Sequence, residues 1–284
     1  MEAISQKDRE ILRNLARRKL EYANSPQNAE ILKKWDALAH GRRETPTVRL
    51  LFSNFPHEVI TPRLQCEGET ARGFEYSLLS SLVGRELFDD DTPLAPNFEV
   101  HWDAWASPFG IQPHLTRASS GPSQGYHIDP VVNDLAEDFD KLRGGSFGAD
   151  REKTKARIAV AEDLFGDILP VKMTMGSLSG AITNPLVSLM GMENYYCSMY
   201  DYPEKLHEVM EMATRLYEDC YDFLEKEGLL LPTCGVSPVA QESFAFNSEL
   251  PEENVAKTTQ CWGFLESQET TAVSPETYGE FVYP

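Results

Sequence analysis

The strongest constraint on what this chain can fold into is its rhythm: short apolar runs, each followed by a stretch with helical periodicity. The runs are Val48-Arg49-Leu50-Leu51-Phe52, Phe98-Glu99-Val100-His101, Val171-Lys172-Met173-Thr174-Met175, Leu229-Leu230-Leu231 and Cys261-Trp262-Gly263-Phe264-Leu265. The clearest helix is predicted from about 203 to 227, where Leu206, Val209, Ala213, Leu216, Cys220 and Leu224 share one face and Gly228 is the stop. Further helices are predicted at about 71–87, 131–142, 151–169 and 182–192, and one starts at Ser274-Pro275. Read as unalternated, the apolar runs predict strands covered on both faces, the mark of a parallel sheet wrapped by helices. The expected fold is therefore α/β, a (β/α)8 TIM barrel. Only five strands can be placed, so the barrel is expected to be C-terminally incomplete, its last units missing. Two helices precede it. Ile11, Leu12, Leu15, Ala16 and Leu20 mark the first, and Ser25-Pro26 caps the second, which runs to Gly41. The expected division is an N-terminal helical extension over 1–45 and a barrel over 46–284.

Charge narrows the partners. The chain of 284 residues carries a formal net charge of −19, with +4 on residues 1–49 and −23 on the rest. Such a body repels a phosphate backbone, so no nucleic-acid partner is expected. The five cysteines are widely spaced and odd in number, which predicts reduced thiols and a cytoplasmic location. Met1 to Asp8 holds no apolar signal core, and no apolar run reaches the roughly 18 residues of a span, so no membrane partner is expected.

In a barrel, the residues just past each strand's C-terminal end form the active site. That rule selects Asn54 and His57 after the first run and His101, Trp102 and Asp103 after the second. It selects Ser179 with Thr183 and Asn184 after the third, and Glu266, Ser267, Gln268 and Glu269 after the last. Asp103, Gln268 and Glu269 are the candidates for catalysis. The others are candidates for substrate binding. Trp102 and Trp105 flank Asp103, and two indoles around a carboxylate would desolvate it. Each of these residues has a plainer reading, as a helix cap or a satisfied loop group. Cys66, Cys234, Cys261, His57 and His101 are the soft-metal candidates, but no close Cys or His pair supports a zinc site. There is no GxGxxG, no Walker loop and no GxSxG elbow.

Four segments resemble the uroporphyrinogen decarboxylase family: Trp102 to Gly110, Met173 to Ala181, Tyr202 to His207, and Phe264 to Pro284. The resemblance extends over roughly 45–284. It implies a (β/α) barrel with a deep central cleft. It also implies either decarboxylation of uroporphyrinogen, in porphyrin biosynthesis, or methyl transfer between corrinoid proteins and thiols. Asp103 stands where the family's pyrrole-binding Asp stands, and a hydroxyl-bearing position falls near Ser267 or Gln268. The family's decarboxylases carry an Arg-rich loop after the first strand, whereas Leu50 to Glu58 holds no Arg or Lys. A substrate with eight carboxylates would meet repulsion there. Methyl transfer is therefore the leading expectation, with decarboxylation and a non-catalytic tetrapyrrole or corrinoid-protein binding module as alternatives. The methyltransferase branch implies zinc, with ligands expected beyond Pro284. A decarboxylase would need no cofactor. The expected partners are a small-molecule tetrapyrrole or a corrinoid protein, together with a homodimer mate or a completing chain.

Overall fold

A computed structural model describes every residue except 1–2, 43–44, 53–54, 118–124, 240–242, 247 and 284. The helices are α1 (Gln6–Ala23), α2 (Pro26–Ala39), α3 (Pro56–Val59), α4 (Glu69–Val83), α5 (Leu135–Asp138), α6 (Arg151–Phe165), α7 (Thr183–Asp201), α8 (Pro203–Lys226) and α9 (Pro275–Phe281). The strands are β1 (Phe98–His101), β2 (Ala104–Ser107), β3 (His114–Arg117), β4 (Tyr126–Asp129), β5 (Ser146–Ala149), β6 (Val171–Thr174), β7 (Leu178–Ser179) and β8 (Gly263–Phe264).

Helix ends follow side-chain chemistry. Ser25 and Ser274 accept the N–H groups of Asn28 and Thr277, each with a proline at the first helical position. α8 buries Leu206, Val209, Ala213 and Cys220, the predicted face, and Gly228 follows it at φ +63°. α7 joins two helices across Gly191, whose φ of +77° interrupts the helical path.

The chain is a mixed α/β protein, but the eight-unit barrel does not form as expected. Among the described residues the strands make separate two-stranded sheets. β1–β6 and β7–β8 are parallel, while β2–β5 and β3–β4 are antiparallel. Side chains occupy the ladder where more strands were predicted. The Val48 and Leu50 N–H groups donate to the carboxylates of Asp91 and Asp90, at 2.9 and 3.0 Å. Leu231 N–H donates to Met175 Sδ, and Trp262 N–H to Thr233 Oγ1. These contacts set the 229–234 segment beside β6 and β8 without a backbone ladder. The antiparallel pairs were not predicted, since 116–149 reads as a long loop with one short helix.

The sheet residues also alternate, contrary to the expectation of strands buried on both faces. Phe98 and Val100 of β1, with Val171 and Met173 of β6, pack into a core built with α1, α4 and α6. Glu99, His101, Lys172 and Thr174 fall on the opposite face, where register pairs Glu99 with Lys172 and His101 with Thr174. α6 packs on both strands, completing a β–α–β unit. A second core joins α5, α7, α8 and α9 through residues such as Leu135, Leu186, Tyr195, Leu206 and Phe281.

α1 is held partly by charge. Lys7 pairs with Glu67 at 2.6 Å, Arg13 with Asp167 in a two-pronged bond of 2.7 Å per arm, and Arg18 with Glu86 at 2.5 Å. Arg9 pairs with Asp163. The basic stretch of the sequence is thus engaged with the acidic body. Among the described residues no helix is long and apolar enough to cross a membrane.

Candidate functional site

The predicted residues do not converge on one cavity. Asn54 lies outside the described residues. His57 is exposed on the short helix α3. His101 reaches across the sheet, its Nδ1 lying 3.0 Å from the Thr174 carbonyl and 3.3 Å from Thr174 Oγ1. Asp103 is not desolvated by indoles: its carboxylate pairs with Lys153 at 2.5 Å, and Trp105 is 48% exposed. The reason is local. Trp105 lies on β2, with its ring against Gly148 of β5, and so turns away from Asp103. Trp102 keeps a buried indole N–H without a hydrogen-bond acceptor, and the Arg151 guanidinium stands 5.8 Å from its ring. Ser179 is exposed opposite Phe264, Gln268 is exposed, and Glu266 is half-buried.

Glu269 is brought together with Thr183 and Asn184, which were predicted past the third strand. It is buried, and its two carboxylate oxygens accept Thr183 Oγ1 and Asn184 Nδ2, both at 2.8 Å. Burial raises its carboxyl pKa, but the bonds from Asn184 and Thr183 outweigh that and hold it below the usual value. Its carbonyl accepts the Tyr196 hydroxyl at 2.5 Å, and Ser267 Oγ meets Tyr278 at 2.9 Å. This cluster ties α7 to the segment after β8. Its carboxylate oxygens are already occupied, which is the arrangement of a structural carboxylate.

The space that could receive a ligand lies elsewhere, on the polar face of β1–β6. A cavity of about 470 Å³ is lined by Lys172 and Thr174 of β6, Asn97 before β1, and Cys234 and Ser237 of the segment after Leu231. Glu252 and Glu253 border it, and Asp36 and His40 at the end of α2 close one side. A second cavity of about 420 Å³ shares His40, Phe246 and Ser248 with the first and is lined by Phe244, Trp262 and Phe264. Both volumes fall within the roughly 300–1,000 Å³ of small-molecule sites. Of the ten predicted site residues, none of the nine that are described lines either cavity.

Several features set the chemistry of this double cleft. Glu99 accepts Ser237 Oγ at 2.6 Å. Asp36 pairs with Arg42 at 2.8 Å and with His40 at 3.2 Å. Burial pushes the Cys234 thiol above its ordinary pKa, Glu252 adds to the rise and Lys172 opposes it. The thiol therefore stays protonated at neutral pH. Among the described residues no three His, Cys, Asp or Glu side chains gather so as to hold a metal ion. The soft-metal candidates scatter instead. Cys66 is buried in the first core, its thiol pushed up to about 12 chiefly by burial, and Cys261 lies against the Leu231 carbonyl. Among the described residues these side chains do not assemble a zinc site.

The sequence reading missed Lys172, Asn97 and Phe246. The available signal was the apolar–polar alternation within Phe98 to His101 and Val171 to Thr174. It marks one wet face on each strand.

The fold and the cleft define a mixed α/β protein with a small-molecule-sized site on the polar face of a parallel strand pair. Compared with protein-family models, with curated proteins and with solved structures, the chain shows no match.

Proposed function

We propose that this chain is an open (β/α) barrel of the uroporphyrinogen decarboxylase type that acts in methyl transfer, taking its small-molecule ligand in the double cleft. In this reading β1–β6 and β7–β8 are neighbouring staves, with 229–234 between them and 48–52 beside β1. The observation that carries the reading is the polar face of the parallel β1–β6 pair, which turns Lys172 and Thr174 into a cavity. A packed barrel interior would be apolar there.

The charges favour methyl transfer over decarboxylation. Asp36, Glu252 and Glu253 outnumber Lys172 around the polar cavity, so a substrate with eight carboxylates would be repelled. Asp103, the residue matching the pyrrole-binding Asp, is paired with Lys153 and does not line the cleft. In methyl transfer a thiol gives up its proton and takes the methyl carbon from the corrinoid. Cys234, protonated at neutral pH, serves as wall rather than acceptor, so the thiol comes from a second molecule. No step is assigned to zinc among these residues. The position of Asp103 also suits the binding-module alternative, which needs no catalytic group.

The test is incubation of the full chain with methylcobalamin and a simple thiol, following loss of the methylcobalamin absorbance. Protein-dependent demethylation with formation of a thioether is the expected result. Binding of methylcobalamin without turnover would replace the proposal with the binding module. Conversion of uroporphyrinogen to coproporphyrinogen would replace it with the decarboxylase.

A further inference from the structure

Three side chains at the shared mouth of the two cavities stand in a catalytic order. His40, the C-cap of α2, and Ser248 line both cavities, and Asp36 lines the polar one. His40 Nδ1 meets two acceptors, the Asp36 carbonyl at 2.8 Å and an Asp36 carboxylate oxygen at 3.2 Å. Nδ1 therefore carries the ring proton, and the neutral imidazole presents a bare lone pair at Nε2. That nitrogen lies 3.4 Å from Ser248 Oγ, which comes from a segment 208 residues further along the chain. Arg42 holds the other Asp36 oxygen at 2.8 Å, so the carboxylate is fixed at both ends. The Trp35 ring of α2 packs edge-on against Phe244, with centroids 5.0 Å apart, and ties α2 to the segment that carries Ser248. A histidine bonded back to its own helix serves as a cap. Capping needs neither a serine hydroxyl on the far nitrogen nor a cavity on either side.

We infer that Asp36, His40 and Ser248 form an acyl-transfer site that cleaves neutral esters of apolar carboxylic acids. Ser248 Oγ attacks the ester carbonyl as its proton passes to His40 Nε2. The bond from the acyl carbon to the alcohol oxygen then breaks, and the alcohol leaves with that proton. Water attacks the acyl-serine by the same route, which releases the acid and restores Ser248. Asp36 is a positioning residue that orients the imidazole and faces the imidazolium formed in between. Contacts between nucleophile and base are often this long before substrate binds. The acyl chain lies in the aromatic cavity, among Phe244, Phe246, Trp262 and Phe264, and the alcohol departs through the polar one. Asp36, Glu252 and Glu253 border the polar side and disfavour an ester that carries a carboxylate. This constellation recurs on unrelated folds, so it does not require a GxSxG elbow. The inference shares the cleft with the methyl-transfer reading but does not rest on it.

The experiment is hydrolysis of p-nitrophenyl hexanoate by the full chain, with fluorophosphonate labelling and mass spectrometry of the peptide that carries Ser248. Saturable hydrolysis is expected, with kcat/KM at least about tenfold above that for p-nitrophenyl acetate, because the longer chain buries more CH2 groups. A phosphonyl adduct on Ser248 is expected with it. Ser248 and His40 are exposed, so Ser248→Ala and His40→Gln keep the fold. Each should lower kcat about a hundredfold or more. Asp36→Asn should lower kcat about tenfold with KM unchanged, since one charge-assisted bond becomes neutral while the Asp36 carbonyl still holds Nδ1–H, and Asp36→Glu should recover most of the loss. The inference is overturned if hydrolysis is not saturable, if the adduct is absent from Ser248, or if Ser248→Ala works as fast as the wild type. The assay contains no corrinoid, so the two readings fail separately. Ester cleavage without demethylation refutes methyl transfer alone. Demethylation without ester cleavage refutes the acyl-transfer site alone.

Discussion

Replacing Glu269 probes whether the cluster after β8 is structural. Glu269 is 8% exposed, and its carboxylate accepts two side-chain donors at 2.8 Å, from Thr183 and Asn184. A hydrogen bond to a charged group contributes about 1.5–3 kcal/mol. In Glu269→Gln the amide oxygen still serves one donor, Asn184, and the Thr183 hydroxyl must turn to accept the new NH2. Both charge-assisted bonds become neutral ones, a loss of about 1–3 kcal/mol. Glu269→Leu leaves both donors buried without acceptors and should cost about 3–5 kcal/mol. At roughly 2–4 °C per kcal/mol for a domain of this general size, the Gln variant should melt about 2–12 °C lower at pH 7. The sign with pH follows from the lowered carboxyl pKa. Stability from this group is fully present above the unfolded carboxyl value and is lost as pH falls through the lower folded value. The gap between wild type and Glu269→Gln should therefore be widest at neutral pH and shrink in acid. Thermal unfolding followed by circular dichroism, at pH 7 and near pH 4, reads both effects. Equal melting temperatures at pH 7, or a gap unaffected by acid, would refute the structural role.

Two further predictions concern backbone and buried charge. Gly110 and Gly41 both have positive φ, +69° and +66°, but a Cβ on Gly110 would lie 1.8 Å from the Gly144 carbonyl oxygen while Gly41 faces open space. Gly41→Ala should cost only about 1 kcal/mol, whereas Gly110→Ala should cost several times that, and similar urea midpoints for the two would contradict the packing described. Lys19 is buried on α1, and burial lowers its pKa, with Glu99 opposing the shift. Lys19→Met should therefore stabilise the chain by on the order of 1 kcal/mol at pH 7. The unfolded state binds the proton more readily, so wild-type stability rises as pH climbs toward the ordinary lysine value, and the advantage of Met should narrow by pH 9. A destabilised Met variant would show that the ammonium is held by more than its burial.

Helices were legible in the sequence because their ends are written in local chemistry. Ser25-Pro26 and Ser274-Pro275 start helices where predicted, and Gly228 follows the end of α8. Strands were less legible. The 48–52 segment reads as a strand, yet the Asp90 and Asp91 carboxylates, some forty residues away, take its N–H groups. The β2–β5 and β3–β4 pairs were hidden because Gly and Ser dilute any alternation in 107–149. Of the predicted site, the Glu269 cluster formed with Thr183 and Asn184, but as a tie between elements. The cleft draws Asn97, Lys172 and Cys234 from three segments far apart in the chain, and no spacing rule links them. The polar alternation of β1 and β6 did point to it, and was masked by reading those runs as uniformly apolar.

The ion pairs of α1 give that helix a second role beyond covering apolar surface. Glu67, Glu86, Asp163 and Asp167 are four of the carboxylates in a body of net charge −23, and each is met by an Arg or Lys from one helix. α1 is in effect a counter-ion carried on the same chain, delivered at fixed stoichiometry and released only by unfolding or undocking. Its attachment should then be the part of the fold most responsive to ionic strength, because exposed pairs are screened over about 8–10 Å at physiological salt. The apolar contacts it makes with α4 and α6 would be left to hold it alone.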